Sequence, residues 1–281
     1  MLAYRRQEET LMMRSLWTAA SGMIGQQTAL DVTANNLSNV NTTGYKTQSA
    51  NFKSLIYQNL QRKSTTTTGE PKPIGAQVGL GTRVGSISSS FTQGAFGESH
   101  GEFDYAIQGE GFFRVRLADG STAYTRNGHF VMAVDNDGGT TLTDSEGNPV
   151  LDTAGNIIHL EEGYRTDLVQ IDTDGKLSYV NDEGNRYDLG MQIGLATFPN
   201  SGGLEKISGS NYAESDASGA PVTWTAYALG SKIKSGYLEM SNVNAADEMV
   251  NMIITQRAYE MNAKAITASD EMLQQANNLR S

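Results

Sequence analysis

The residues with chemical potential in this chain are few, and their spacing excludes most enzymatic chemistry. There are three histidines, His100, His129 and His159, and no cysteine. None of the histidines stands in a His-Glu-x-x-His spacing, so a helical zinc site is not expected. Without thiols there is no cysteine nucleophile, no thiolate zinc site and no disulfide framework. No Gly-x-Ser-x-Gly elbow is present. Gly79-Leu80-Gly81 is followed by Thr82-Arg83-Val84, so the third glycine of a dinucleotide fingerprint is missing. Asp135-Asn136-Asp137-Gly138-Gly139 with Glu146 imitates a calcium loop, but Gly139 and Thr140 stand where a ligand and a glycine are required. That segment reads as a hairpin turn. Asp172 and Asp174 read as turn formers on a solvated surface. No catalytic, cofactor-binding or metal-binding residue is assigned.

Charge narrows the partners. The 281 residues carry 31 Asp and Glu against 21 Lys and Arg, a formal net charge of -10, opposite to a nucleic-acid binder. No run of 18 apolar residues exists, so membrane insertion by a helix is not expected. The first residues are basic but lack an apolar stretch behind them, so a cleaved secretory signal is not expected either.

The elements that would position any site follow from composition. Residues 13–40 and 242–279 have helical patterning. Between them the chain is rich in Gly, Asp, Asn, Thr and β-branched residues, with recurrent turn signals such as Asp119-Gly120, Asn127-Gly128, Asp174-Gly175 and Glu183-Gly184. Gly111 to Leu117 and Ser121 to Arg126 read as strands joined at Asp119-Gly120. The expected fold is mixed: two long terminal α-helices form a coiled-coil-like inner domain, and the central domain is β-rich. The expected division is a disordered extension at 1–11, a discontinuous helical domain at 12–60 with 231–281, an extended linker or arm at 61–84, and a β-rich domain at 85–230. The Thr-rich stretch 61–75, with Pro71 and Pro73, is expected to reach a neighbouring subunit.

Two stripes mark the helices. Met13, Leu16, Ala20, Met23, Gln27, Leu30, Ala34 and Leu37 alternate spacings of three and four, with Trp17 and Ile24 widening the stripe. A helix of ~27 residues would span ~40 Å. At the other end Met252, Tyr259, Ile266 and Leu273 fall on a seven-residue repeat flanked by Met249. Thr255, Asn262 and Ser269 are interspersed, a composition suited to a helix surrounded by other helices. These stripes are expected to be subunit interfaces, folded on assembly rather than in the isolated chain.

Four stretches stand out: Ala34-Asn35-Asn36-Leu37-Ser38-Asn39-Val40-Asn41-Thr42-Thr43-Gly44-Tyr45-Lys46, the upstream Met13 to Met23, Gly236 to Asn244, and Glu248 to Ile253 with Gln256-Arg257-Ala258-Tyr259-Glu260-Met261-Asn262. They resemble segments of bacterial flagellar rod and hook proteins. Ala106 to Phe113 and Ala123 to Gly128 are similar as well. The resemblance covers nearly the whole chain from Met13. Its signature residues here are Asn35, Asn36, Leu37, Asn39, Gly44, Tyr45, Lys46, Asn242, Val243, Asn244, Gln256, Arg257 and Tyr259. It implies a structural role in the flagellar basal body: export by the type III apparatus, self-association into a hollow helical tube, contact with neighbouring rod and hook proteins, and surrounding bushing rings where an outer membrane exists. The length argues against a hook subunit; a proximal rod subunit stays open. From another class, a carbohydrate-binding or adhesive β-rich protein is the alternative. For the signature itself, Gly44 is expected in the left-handed region, the asparagines are expected to cap or bridge, and Tyr45 and Phe52 to anchor the outgoing strand. Lys46 is expected to face a carboxylate such as Glu248 or Glu260.

Overall fold

The computed structural model describes residues 2–61, 76–135, 138–161, 163–181 and 185–278, and the side chains among them except those of 2–13, Leu60, Gln61, Ala76, Ala276 and Asn277. The chain forms two compact units. One comprises 1–37, 48–88 and 245–281; the other comprises 38–47 and 89–244. The boundaries therefore differ from those read in the sequence. Residues 231–244 and 38–47 belong with the β-rich unit, because their backbone and side chains are paired there. Residues 76–84 of the expected linker are largely strand.

The first unit is built on two helices, Leu2–Ser38 and Ala245–Asn278. Residues 2–11, expected as a disordered extension, are helical; they contain no Gly or Pro, so nothing in their propensities ends the helix before it. Two antiparallel strand pairs accompany the helices: Gln48–Ser54 with Thr82–Ser89, and Tyr57–Gln61 with Ala76–Gly79. Segment 62–75, the core of the expected arm, lies outside the described residues, as does the side chain of Met13.

The strands lie along one face of the first helix. Thr82 N donates to Ser21 Oγ, and Phe52 packs on Gly25. The Asn36 side chain completes a reciprocal pair with the Gln48 backbone: Asn36 Nδ2 donates to Gln48 O at 2.8 Å, and Gln48 N donates to Asn36 Oδ1 at 2.9 Å. The buried face is thus Ala19, Gly25, Val32, Thr33 and Asn36.

The two helices run antiparallel. Ser15 and Ser269 share a hydrogen bond at 3.1 Å, and Gly22 lies against the Asn262 amide. Seven residues forward on one helix match seven backward on the other. The residues at this contact are small or polar.

The second unit is β-rich, as expected. Its largest sheet has six antiparallel strands in the order Glu205–Lys206, Asn211–Ala213, Thr122–Thr125, Phe112–Arg116, Leu195–Thr197, Val222–Trp224. Two three-stranded sheets add Phe130–Val134, Thr140–Asp144 and His159–Leu160, and then Val169–Ile171, Lys176–Val180 and Arg186–Gln192. Strand alternation places Phe112 and Phe113 on opposite faces. Phe113 enters the main core with Val115, Phe130, Leu142, Leu177, Leu195 and Ile233. Phe112 joins Tyr124 and Ala196 in a second cluster with Phe91 and Phe198.

The strands around Asp119-Gly120 form as read, with Gly120 at φ 85°. Asn127-Gly128 is not a hairpin turn. It carries the chain from the six-stranded sheet into another, and Gly128 passes so close to the Tyr105 carbonyl that a Cβ would lie 1.7 Å from its oxygen. Of the calcium-like segment, Asp135 and Gly139 are joined by a backbone hydrogen bond, Asp135 N to Gly139 O, at the end of an antiparallel pair, Phe130–Val134 with Thr140–Asp144. Asn136, Asp137 and the Glu183-Gly184 turn lie outside the described residues.

Candidate functional site

Within the β-rich unit, the segment entering at 38–47 and the segment leaving at 237–244 are tied together by buried polar groups. Gly44 makes this possible. It adopts φ 68°, left-handed as expected, and a Cβ there would lie 2.5 Å from Asn127 N. The close approach lets Gly44 N donate to Glu239 O at 2.8 Å, while Thr43 Oγ1 donates to Asn127 Oδ1. Tyr45 and Lys46 then point into the interior.

The centre is Glu239, whose side chain is 0% exposed, as is that of Lys46. Lys46 Nζ donates to Glu239 Oε1 at 2.6 Å and to Thr92 O at 2.8 Å. Arg126 Nη1 donates to Glu239 Oε2 at 3.2 Å, and Nη2 donates to Gly109 O. Gly94 N donates to Glu239 Oε1. The Arg126 guanidinium also covers the Phe112 ring at 5.4 Å. Burial pushes the Lys46 ammonium below the ordinary lysine value, against the attraction and hydrogen bond of Glu239; the Arg126 value is lowered by burial in the same way. Two cations thus share one buried carboxylate.

The expected partner of Lys46 was a carboxylate on the C-terminal helix. Its partner is instead Glu239, on the strand before that helix; Glu260 pairs with Arg257 at 2.9 Å. The reason is the reversal at Gly44, which aims Lys46 at the strand Tyr237–Glu239. Asn242 makes the second tie. Its Oδ1 accepts from Thr47 N and Thr47 Oγ1, and its Nδ2 donates to Ser90 O, Thr92 O and Thr92 Oγ1. Tyr45 is buried beneath Lys206, whose Nζ lies 4.2 Å from the ring centroid. Val243 is buried; Asn244 is exposed. Asn39 accepts from Thr42 Oγ1 and from Thr42 N, closing the end of the helix locally. Asn35 Nδ2 reaches Gln48 Oε1 at 3.4 Å.

The helix stripes are placed differently. Trp17 is 71% exposed and Ile24 67%. Ala34, Met249 and Tyr259 are exposed, and Leu16, Ala20, Met23, Leu30, Leu37, Met252, Ile266 and Leu273 are half-buried. Gln256 and Arg257 are exposed as well. The C-terminal helix buries a neighbouring repeat instead: Glu248, Thr255 and Ser269, with half-buried Asn262 continuing it. Hydropathy does not reveal that repeat, although its seven-residue spacing was visible.

Among the described residues, His129 and His159 meet a carboxylate and a hydroxyl and form no nucleophile–base relay. Asp104 sits between Ser99 and His129: Ser99 Oγ donates to Asp104 Oδ2, and His129 Nδ1 lies 2.6 Å from Asp104 Oδ1. The hydroxyl therefore meets the carboxylate rather than a basic imidazole. His159 meets Thr141 Oγ1. Among the described residues no group of three or more His, Cys, Asp or Glu side chains could hold a metal. No described helix is long and apolar enough to cross a membrane.

A buried polar tie between two distant segments of the β-rich unit, and long helices in the other unit that leave Trp17, Ile24, Met249 and Tyr259 exposed, suit a subunit that assembles with others. The chain belongs to the flagellar basal-body rod family. Residues 16–46 match the model of the flagella basal body rod protein, 106–179 the flagellar hook protein FlgE/F/G D1 domain, and 234–279 the flagellar basal body rod FlgEFG protein C-terminal. The chain is 44% identical to the flagellar basal-body rod protein FlgG of Borreliella burgdorferi, over 96% of this chain and 99% of that one. It is 41% identical to FlgG of Bacillus subtilis, over 96% and 100%, and 38% identical to FlgG of Caulobacter vibrioides, over 96% and 100%.

Proposed function

We propose that the chain is a structural subunit of the flagellar distal rod, polymerising through its terminal helices into a hollow tube that transmits torque. End-to-end similarity to FlgG proteins supports the rod, and the distal rod within it. The observation that carries the assembly mode is the mismatch on the helices. Their mutual contact uses Ser15, Gly22, Asn262 and Ser269, while Trp17 and Ile24 stay in solvent. Extended by seven residues, the same register brings Ala29 opposite Thr255 and Asn36 opposite Glu248. Small residues allow the two helices of one chain to approach closely, and the apolar stripes remain for sister molecules in a coiled-coil-like layer. Such a polymer needs heterologous, non-closing interfaces. Rod and hook components are its neighbours. Export through the flagellar type III apparatus, and rotation within bushing rings where an outer membrane exists, follow from this reading.

Deletion of the coding sequence, followed by complementation with this chain, tests the proposal. Electron micrographs of basal bodies should show the distal rod and hook lost on deletion and restored on complementation. Normal rods in the deletion strain would refute it.

A further inference from the structure

The sheet formed by Val169–Ile171, Lys176–Val180 and Arg186–Gln192 extends past the core it covers. Its inner face is Leu177 and Val169 where the core lies, both buried. Beyond them the same face continues as Tyr179, directly opposite Tyr187 in the ladder. The Tyr164 ring meets that of Tyr179 edge-on, with centroids 5.0 Å apart. Tyr164 remains 41% exposed and Tyr187 54%. With Asn181, Asp188 and Leu189 these rings line an open cleft of about 650 Å³, within the range of small-molecule sites.

We propose that this cleft binds a neutral oligosaccharide. Its lining offers aromatic faces for the C–H faces of a sugar ring, and phenol, amide and carboxylate groups for hydroxyls. Asp188 is oriented by Gly190 N, which donates to its Oδ1 at 2.8 Å. Among the described residues the lining has one carboxylate and no cation, in a chain of net charge -10. Phosphate-bearing ligands such as nucleic acids are therefore disfavoured. A dry apolar protein surface would strip water from Asp188 and the phenols without replacing their hydrogen bonds; a hydroxyl-rich ligand replaces them. The proposal does not rest on rod assembly, and either reading can fail alone.

The test is calorimetric titration of the full chain with chitotetraose, cellotetraose and maltotetraose. Saturable binding of at least one is expected. Loss of one stacking ring in Tyr187→Ala should weaken it about tenfold, while Tyr187→Phe stays within about threefold. Thermal unfolding of each variant verifies that the fold is intact. Absence of saturable binding by all three sugars would overturn the proposal. So would binding that is unchanged in both Tyr187→Ala and Tyr164→Ala.

Discussion

Lys46 shows what one side chain contributes when it cannot reach water. It and Arg126 both depend on the Glu239 carboxylate, so removal of Glu239 leaves two buried cations uncompensated, whereas removal of Lys46 leaves the carboxylate paired with Arg126 alone. Glu239→Gln, which strands both cations, should destabilise the β-rich unit by about 3–5 kcal/mol, the usual cost of breaking a buried pair, and Lys46→Met by less, because Arg126 still pairs the carboxylate. A double-mutant cycle with Glu239→Gln, followed by denaturant unfolding, should show strong coupling; additive losses would mean the pair is not shared. Gly44→Ala meets both a left-handed backbone and Asn127 N, and should lower the melting temperature more than Gly120→Ala, where a Cβ has open space. Burial raises the phenols of Tyr105 and Tyr212 above their ordinary 10.0. Their protons leave the unfolded chain first, so the stability they contribute is complete below about pH 10 and is lost as pH climbs further, by about 1.4 kcal/mol per pH unit for each phenol. Lys46, lowered from 10.5, acts oppositely, since below that pH the unfolded chain holds more protons. Comparing Tyr105→Phe with the parent chain cancels that contribution. Unfolding followed from about pH 10 to 11.5 should fall less steeply in the variant.

Among the elements, the helices were legible because a three-four alternation of apolar residues survives in any context. What packs on them was not. The contact between the two helices of one chain uses Ser15, Gly22, Asn262 and Ser269, which an apolar pattern passes over. Gly44 announced itself through residue type, but its consequence did not: Lys46 and Glu239 are 193 positions apart, and no local pattern encodes that pairing. Placing the partner on the C-terminal helix assumed that the signature served the helices, whereas residues 38–47 are bound into the β-rich unit. Asn127-Gly128 misled for a related reason, since the glycine there serves close approach to Tyr105 rather than a tight turn. The helix contact has its own test. Gly22→Leu should push against Asn262 and cost about 1–3 kcal/mol. Asn262→Ala in the same chain should recover much of it by making room. Equal loss in the single and double variants, read by thermal unfolding, would contradict the contact.

For the whole molecule, the central claim is that the exposed and half-buried stripes of the two terminal helices are surfaces for sister chains. Large apolar side chains at Trp17 and Ile24 are otherwise left in water. A hollow shaft gains stiffness when many such seams close together, because packed interiors compress little. The tie at Glu239 holds the start of one segment and the end of the other in a fixed register inside the β-rich unit. The absence of cysteine makes the claim directly measurable, since an introduced thiol is the only one in the chain. The most direct measurement is the maleimide reactivity of Ile24→Cys in the purified chain and in isolated basal bodies, with Tyr227→Cys, on a 79% exposed side chain of the β-rich unit, for comparison. The expected result is a thiol at 24 that reacts freely in the single chain and is protected at least tenfold more than the thiol at 227 on assembly. Equal reactivity of the thiol at 24 in both states would contradict it.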